Sequence, residues 1–206
     1  MDINGIDLDN LSKKIVKKLF IEVEASGRHV HLSREDIDNL FGVGYKLTPV
    51  KDLSQPGQFV CKERVTLIGK KGNIENVVVL GPERKETQVE ISKTDSVILG
   101  VDTPVRLSGD ISNTPGITIS VNGIKIIKTS GLIVAKRHIH MTPKDASVFN
   151  LKDKQIVKLK VFGDRPIILE DTEVRIREDF ATFAHIDYDE ANACGFKKGT
   201  LGIILK

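Results

Sequence analysis

The chain reads as mainly β with short α-helices, arranged as two similar halves. Two observations carry that expectation. Short runs rich in Val, Ile and Thr, bounded by Gly, Asn and Pro, recur along most of its length. One seven-residue phrase also occurs twice: Gly27-Arg28-His29-Val30-His31-Leu32-Ser33 returns 109 positions later as Lys136-Arg137-His138-Ile139-His140-Met141-Thr142. At 206 residues there is material for one large domain or for two of about 100 residues each.

From the N-terminus, Leu8, Leu11, Ile15, Val16 and Leu19 fall at helical spacing with lysines opposite. Residues 8–20 are therefore expected as an amphipathic helix, packed on the body or docked to a shell or partner. Residues 21–25 follow without a linker and read as a strand. After each histidine phrase a short helix is expected, because Ser33 with Asp36, and Thr142-Pro143 with Asp145, carry N-cap and first-turn chemistry. Strands are expected at 65–68 and 74–80 around the turn Gly69-Lys70-Lys71-Gly72, and again at Val89 and Glu90. Residues 117–121, Asn122-Gly123 and residues 124–127 spell the clearest hairpin in the chain. Further strands are expected at 132–135, 156–162, 167–169, 173–177 and 201–205.

The repetition extends beyond the histidines. Glu90 lies ten residues before Gly100 and His185 ten before Gly195, with Asp95 and Glu190 between. Each half thus carries a third metal-capable side chain at the same point, and two similar β-rich domains about a pseudo-twofold axis are the economical model.

Composition narrows the function. Hydrophobic residues are 40% and charged residues 29%, ordinary for a globular protein. Net charge is only +3, the lysines are spread out, and there is no tryptophan, so a nucleic-acid surface is not expected. No apolar run approaches a membrane span and the N-terminus lacks a secretory signal, so no membrane partner is expected. Cys61 and Cys194 are too few for a disulfide framework, which points to a reducing cytoplasm and structural thiols.

On a strand, residues i and i+2 share a face, so each His-x-His can grip one ion. One such pair is a weak signal; two repeat-related copies holding four of the five histidines are a strong one. With Glu90 and His185 the ligands number three per metal, the count of a catalytic zinc with an open position. Two groupings are open: His29/His31/Glu90 with His138/His140/His185, or a crossed pair of sets. Arg84, six residues before Glu90, could reach the same site and fork an oxyanion; otherwise it pairs with Glu83 or Glu86 at the surface. Arg28 and Arg137 should face away from the histidines and serve as structural groups. The loop 53–59 could wall a ligand groove. A metal-dependent hydrolase of thioesters, esters or phosphoesters, and a duplicated interaction domain with structural metals, are the competing readings.

Five motifs, in order from residue 21 onward, resemble the PduL-type phosphate acyltransferases, or phosphate propanoyltransferases. They are residues 26–33, the loop 55–59, Gly81-Pro82-x-Arg84 through Gln88-Val89-Glu90, residues 137–141, and residues 184–187 with Glu190-Ala191 and Cys194-Gly195. The resemblance implies two β-barrel domains related by internal duplication. Residues 28–136 would form one, and 21–27 with 137–206 the other, the first strand supplied by the N-terminal segment behind a helix within 1–20. It implies reversible transfer of a short acyl group, acetyl or propanoyl, between CoA and inorganic phosphate. A dizinc site would lie at the domain boundary with crossed ligands. Glu90, His138 and His140 would hold the first zinc, near the CoA sulfur; His29, His31 and His185 would hold the second, near phosphate. Arg84 would clamp the phosphate, and Lys51, Ser108 and Asn192 fall at CoA-contact positions. Partners would be acyl-CoA or CoA and phosphate or acyl phosphate, with a homo-oligomer allowed. The short stretch before the first strand departs from the members targeted to a bacterial microcompartment shell and favours a free cytoplasmic enzyme.

Overall fold

Residues 2–3 and 6–206 are described in a computed structural model, and strands dominate it as the β-branched runs lead one to expect. In chain order they begin with β1 (Asp2–Ile3), β2 (Ile6–Asp7), α1 (Leu8–Leu19), β3 (Ile21–Ser26), β4 (His29–His31) and α2 (Arg34–Phe41). Next come β5 (Pro49–Asp52), β6 (Phe59–Ile68), β7 (Asn73–Gly81), β8 (Gln88–Ile91), α3 (Lys93–Leu99), β9 (Val105–Arg106), β10 (Thr118–Val121), β11 (Ile124–Ile127) and β12 (Leu132–Ala135). The remainder is β13 (His138–Met141), α4 (Pro143–Phe149), β14 (Ile156–Val161), β15 (Ile167–Ile176), β16 (Phe183–Asp187), α5 (Tyr188–Cys194) and β17 (Leu201–Leu205). The chain divides into two compact units, one of residues 26–136 with 187–189, the other of 1–25, 137–186 and 190–206.

The first unit is a nine-stranded sheet, β11-β10-β6-β7-β4-β8-β12-β9, with β5 added on β6. It is a curled, barrel-like sheet, in keeping with the two barrel-like domains expected. Its outer strands, β11 and β9, are only four and two residues long, which leaves little unpaired backbone at the edges. Val30, Leu32, Ile37, Leu67, Val77, Val79, Ile119 and Leu132 build its core. The expected hairpin pairs Val121 with Ile124, and Asn122 (φ 48°) and Gly123 (φ 87°) supply the left-handed turn that matches strand twist.

The second unit closes into a six-stranded barrel, β13-β15-β14-β17-β3-β16, so a strand from the N-terminal segment completes it. Ile139, Met141, Leu159, Val161, Val174 and Ile186 fill its interior. Two strands expected at 167–169 and 173–177 are one strand, β15. The polar Glu170-Asp171 resembles a turn, but Asp171 adopts φ 50° and the pairing with β14 slips between Val157 and Leu159, so an irregularity bends the strand without ending it.

Both post-histidine helices form on their expected caps: Ser33 Oγ accepts from Asp36 N and Thr142 Oγ1 from Asp145 N. Two further helices, α3 and α5, follow the third-ligand strands β8 and β16, α3 behind a reciprocal Ser92–Asp95 capping box. The N-terminal helix forms as well; the side chains of Leu8 and Leu11 lie outside the described residues, while Ile15, Val16 and Leu19 are exposed. No helix among the described residues is long and apolar enough to cross a membrane.

Candidate metal-binding sites

Burial of one residue fixes the first site. Val30 is wholly buried in the core, so alternation sends His29 and His31 to the opposite face of β4. Strand β8 runs antiparallel beside it and sets Glu90 opposite His29 and Gln88 opposite His31. The ligand atoms of His29, His31 and Glu90 all lie within 4.8 Å of one another, and all three residues are buried. His29 Nδ1 lies 2.8 Å from the Gly27 carbonyl, which turns Nε2 toward Glu90 Oε2 at 3.5 Å. The Tyr188 ring packs over Gly27, where an added Cβ would stand 2.7 Å from it. His31 bonds the Leu80 carbonyl, while its Nδ1 is buried without a hydrogen-bond partner among the described residues.

The second site repeats the plan. Ile139 is fully buried between His138 and His140, and antiparallel pairing of β13 with β16 sets His185 opposite His138. The ligand atoms of His138, His140 and His185 again lie within 4.8 Å of one another. Both ring nitrogens of His140 are buried without a hydrogen-bond partner among the described residues, and Phe180 stacks on its ring at 3.9 Å. His185 Nδ1 lies 3.6 Å from Glu24 Oε2 on β3.

Electrostatics keeps His31, His140 and Glu90 in metal-binding protonation states. Burial, then the neighbouring His29 and Arg84, hold His31 well below the usual histidine range. Burial, then His138 and His185, push His140 down to about 2. Burial opposes ionisation of Glu90, but His29, His31 and a Ser108 hydrogen bond overcome it and hold the carboxyl well below its usual value. Burial likewise opposes protonation of His29, and Glu90 outweighs it, raising the imidazole above its usual value in the metal-free chain. Buried nitrogens without partners each cost about 1–3 kcal/mol, which a cation would recover. Two imidazoles with a carboxylate, and three imidazoles, are donor sets suited to zinc and its borderline neighbours. His29 Nδ1 on a carbonyl and His185 Nδ1 near a carboxylate are outer contacts typical of ligating histidines.

These two clusters coincide with the within-half sets through strand register: Glu90 faces His29 on β8, and His185 faces His138 on β16, so each third side chain stands beside the pair of its own unit.

Arg84 is brought to the first cluster. Its backbone N–H donates to the Leu32 carbonyl, and its Nη1 donates to Ser108 Oγ at 3.1 Å. Its charge acts on both His29 and His31, while Glu83, the alternative surface partner, binds Arg34 at 2.9 Å. Ser108 therefore sits in the Arg84 network. Lys51 is exposed on β5 and Asn192 is exposed on α5. Arg28 grips Asp95 at 3.0 and 3.1 Å, and Arg137 binds Glu190, so both arginines brace the helix after the third-ligand strand. Sequence reading gave no role to Gln88, Glu24 or Phe180. Gln88 carries a period-two signal on the face of Glu90; the other two are distant in sequence, with no spacing to reveal them.

A family model described as phosphate propanoyltransferase matches residues 22–197. A phosphate propanoyltransferase of Clostridioides difficile is 59% identical, covering 97% of this chain and 95% of the relative. One from Enterococcus faecalis is 58% identical, covering 98% of this chain and all of the relative, and one from Thermotoga maritima is 60% identical over 90% and 89%. With that likeness along nearly its whole length, the chain belongs to the phosphate propanoyltransferase family and is a phosphate acyltransferase.

Proposed function

We propose that the enzyme moves a short acyl group, acetyl or propanoyl, reversibly between CoA and inorganic phosphate, with zinc held by His29, His31 and Glu90 and a second zinc by His138, His140 and His185. The observation that carries this reading is the pair of triads, in which unpartnered ring nitrogens of His31 and His140 call for a cation, with Arg84 beside one of them. Zinc, when bound, supplies Lewis-acid polarisation of oxygen and a soft partner for thiolate.

In one direction a phosphate oxygen attacks the thioester carbonyl carbon. The new C–O bond forms, the C–S bond breaks, and CoA leaves as a thiolate that takes a proton from solvent. Arg84 presents a guanidinium fork to phosphate, offsetting its charge and fixing its orientation. All five histidines belong to the triads, so no imidazole remains to activate a serine or cysteine. Cys61 and Cys194 are unpaired and buried, and burial pushes the Cys61 thiol up to about 11, so neither is a nucleophile. Transfer is therefore direct, in a ternary complex. The unpaired cysteines also suit a reducing cytoplasm. Lys51 and Asn192 remain candidates for CoA contacts by their exposure; the Ser108 side chain serves Arg84.

Purified protein mixed with propanoyl-CoA should release thiol only when phosphate is present. Release without phosphate would make it a hydrolase, and an acyl-enzyme trapped from acyl-CoA alone would contradict direct transfer.

A further inference from the structure

Gln88 is 2% exposed, yet the reaction as described gives it no task. Its amide has every hydrogen-bonding atom engaged. Oε1 accepts from Gly109 N–H at 2.7 Å, which fixes the orientation of the amide and aims Nε2 the other way. Nε2 then donates to Glu90 Oε1 at 2.5 Å and to Ser108 Oγ at 2.9 Å. Ser108 accepts from Arg84 Nη1 at 3.1 Å as well, and its own hydroxyl proton goes to Glu90. The network closes: Arg84 to Ser108, Gln88 to Ser108, and both Ser108 and Gln88 to Glu90.

Two consequences follow from that closure. Glu90 has one oxygen, Oε1, occupied by the Gln88 amide, and its other oxygen, Oε2, turned to His29. It therefore offers a single oxygen to the triad, which leaves more of a bound cation's coordination sphere open than a chelating carboxylate would. Arg84 and Glu90 are also held in a common frame, so the oxyanion fork and the metal ligand cannot shift independently. We infer that Gln88 is a positioning residue that makes Glu90 a one-oxygen ligand and locks Arg84 to it through Ser108. This rests on the dizinc reading above.

The test uses the full-length protein stripped of metal and titrated with Zn²⁺ against a chromogenic chelator, alongside initial rates with varied phosphate. Gln88→Met keeps the shape and removes both hydrogen-bond functions. Gln88→Glu keeps the shape and sets a second carboxylate against Glu90, so it decides the matter should the Met variant fail to fold. Wild type should take up two Zn²⁺. In either variant one of the two sites should weaken about 10–100-fold, as loss of an outer-shell partner does, while the other stays unchanged. The phosphate KM should rise more than kcat falls, because Arg84 loses its frame. A folded variant that binds both ions as tightly as wild type overturns the inference while leaving the dizinc reading intact. Wild type that takes up no Zn²⁺ overturns both.

Discussion

The proposed function gives Arg84 and the six triad residues different work, and single substitutions should separate them. Arg84→Ala should lower kcat/KM for phosphate by about 100-fold, the scale of losing one charge-assisted anion clamp, with zinc content unchanged. Loss of zinc instead would show that Arg84 supports the ligands rather than the substrate. The same residues set a pH dependence in the metal-free chain. His31 and His140 both titrate below 6.5 when folded, so under 6.5 the unfolded chain binds protons that the native one refuses. Stability should therefore fall as pH drops from 6.5 toward 4.5, because the unfolded chain takes up protons at both positions that the native chain does not. His29 is raised, so its contribution is already complete below 6.5 and does not change the sign. Glu90 adds a further loss below 4.5, because its folded value is depressed. Urea denaturation of the chelator-treated protein at a series of pH values reads this directly; flat stability between 6.5 and 4.5 would contradict it.

At the level of elements, both units use one device. A three- or four-residue strand buries a β-branched residue between two histidines and turns at once into a helix capped by a hydroxyl. The cap holds the strand end behind His31 or His140. In the first unit it is reinforced, because Ser33 N–H donates to Thr87 Oγ1 at 2.9 Å and Thr87 also donates to buried Asp36, which Lys128 meets at 2.7 Å. Ser33→Ala and Thr142→Ala should each cost about 1 kcal/mol. That corresponds to about 2–4 °C in Tm for a chain of this size. Ser33→Ala should be the more costly of the two, since it also removes the contact of Ser33 Oγ with Thr87 Oγ1 at 3.4 Å. Equal shifts in a thermal melt would show that the reinforcement carries no energy.

For the molecule as a whole, β3 is the element whose loss should matter most to the barrel, since it sits between β17 and β16 and closes the ring. A chain lacking residues 1–19 should keep both metal sites, whereas one lacking 1–26 should bind about one zinc, because β16, which carries His185, loses its neighbour. Metal stoichiometry of the two truncations is the measurement. Much of this architecture was legible in advance. The His-x-His phrases, the helix caps, the Asn122-Gly123 turn and the placing of Glu90 and His185 beside the histidine pairs all rest on local chemistry or on a repeat, and a linear pattern carries both. The continuity of β15 was not, because a bend at Asp171 and a turn have the same composition. Above all, the residue types named six candidate ligands, but antiparallel register decided which of them stand side by side. A strand pairs through backbone hydrogen bonds that no side chain announces, so only the folded sheets place Glu90 against His29, His185 against His138, and Gln88 against the free oxygen of Glu90.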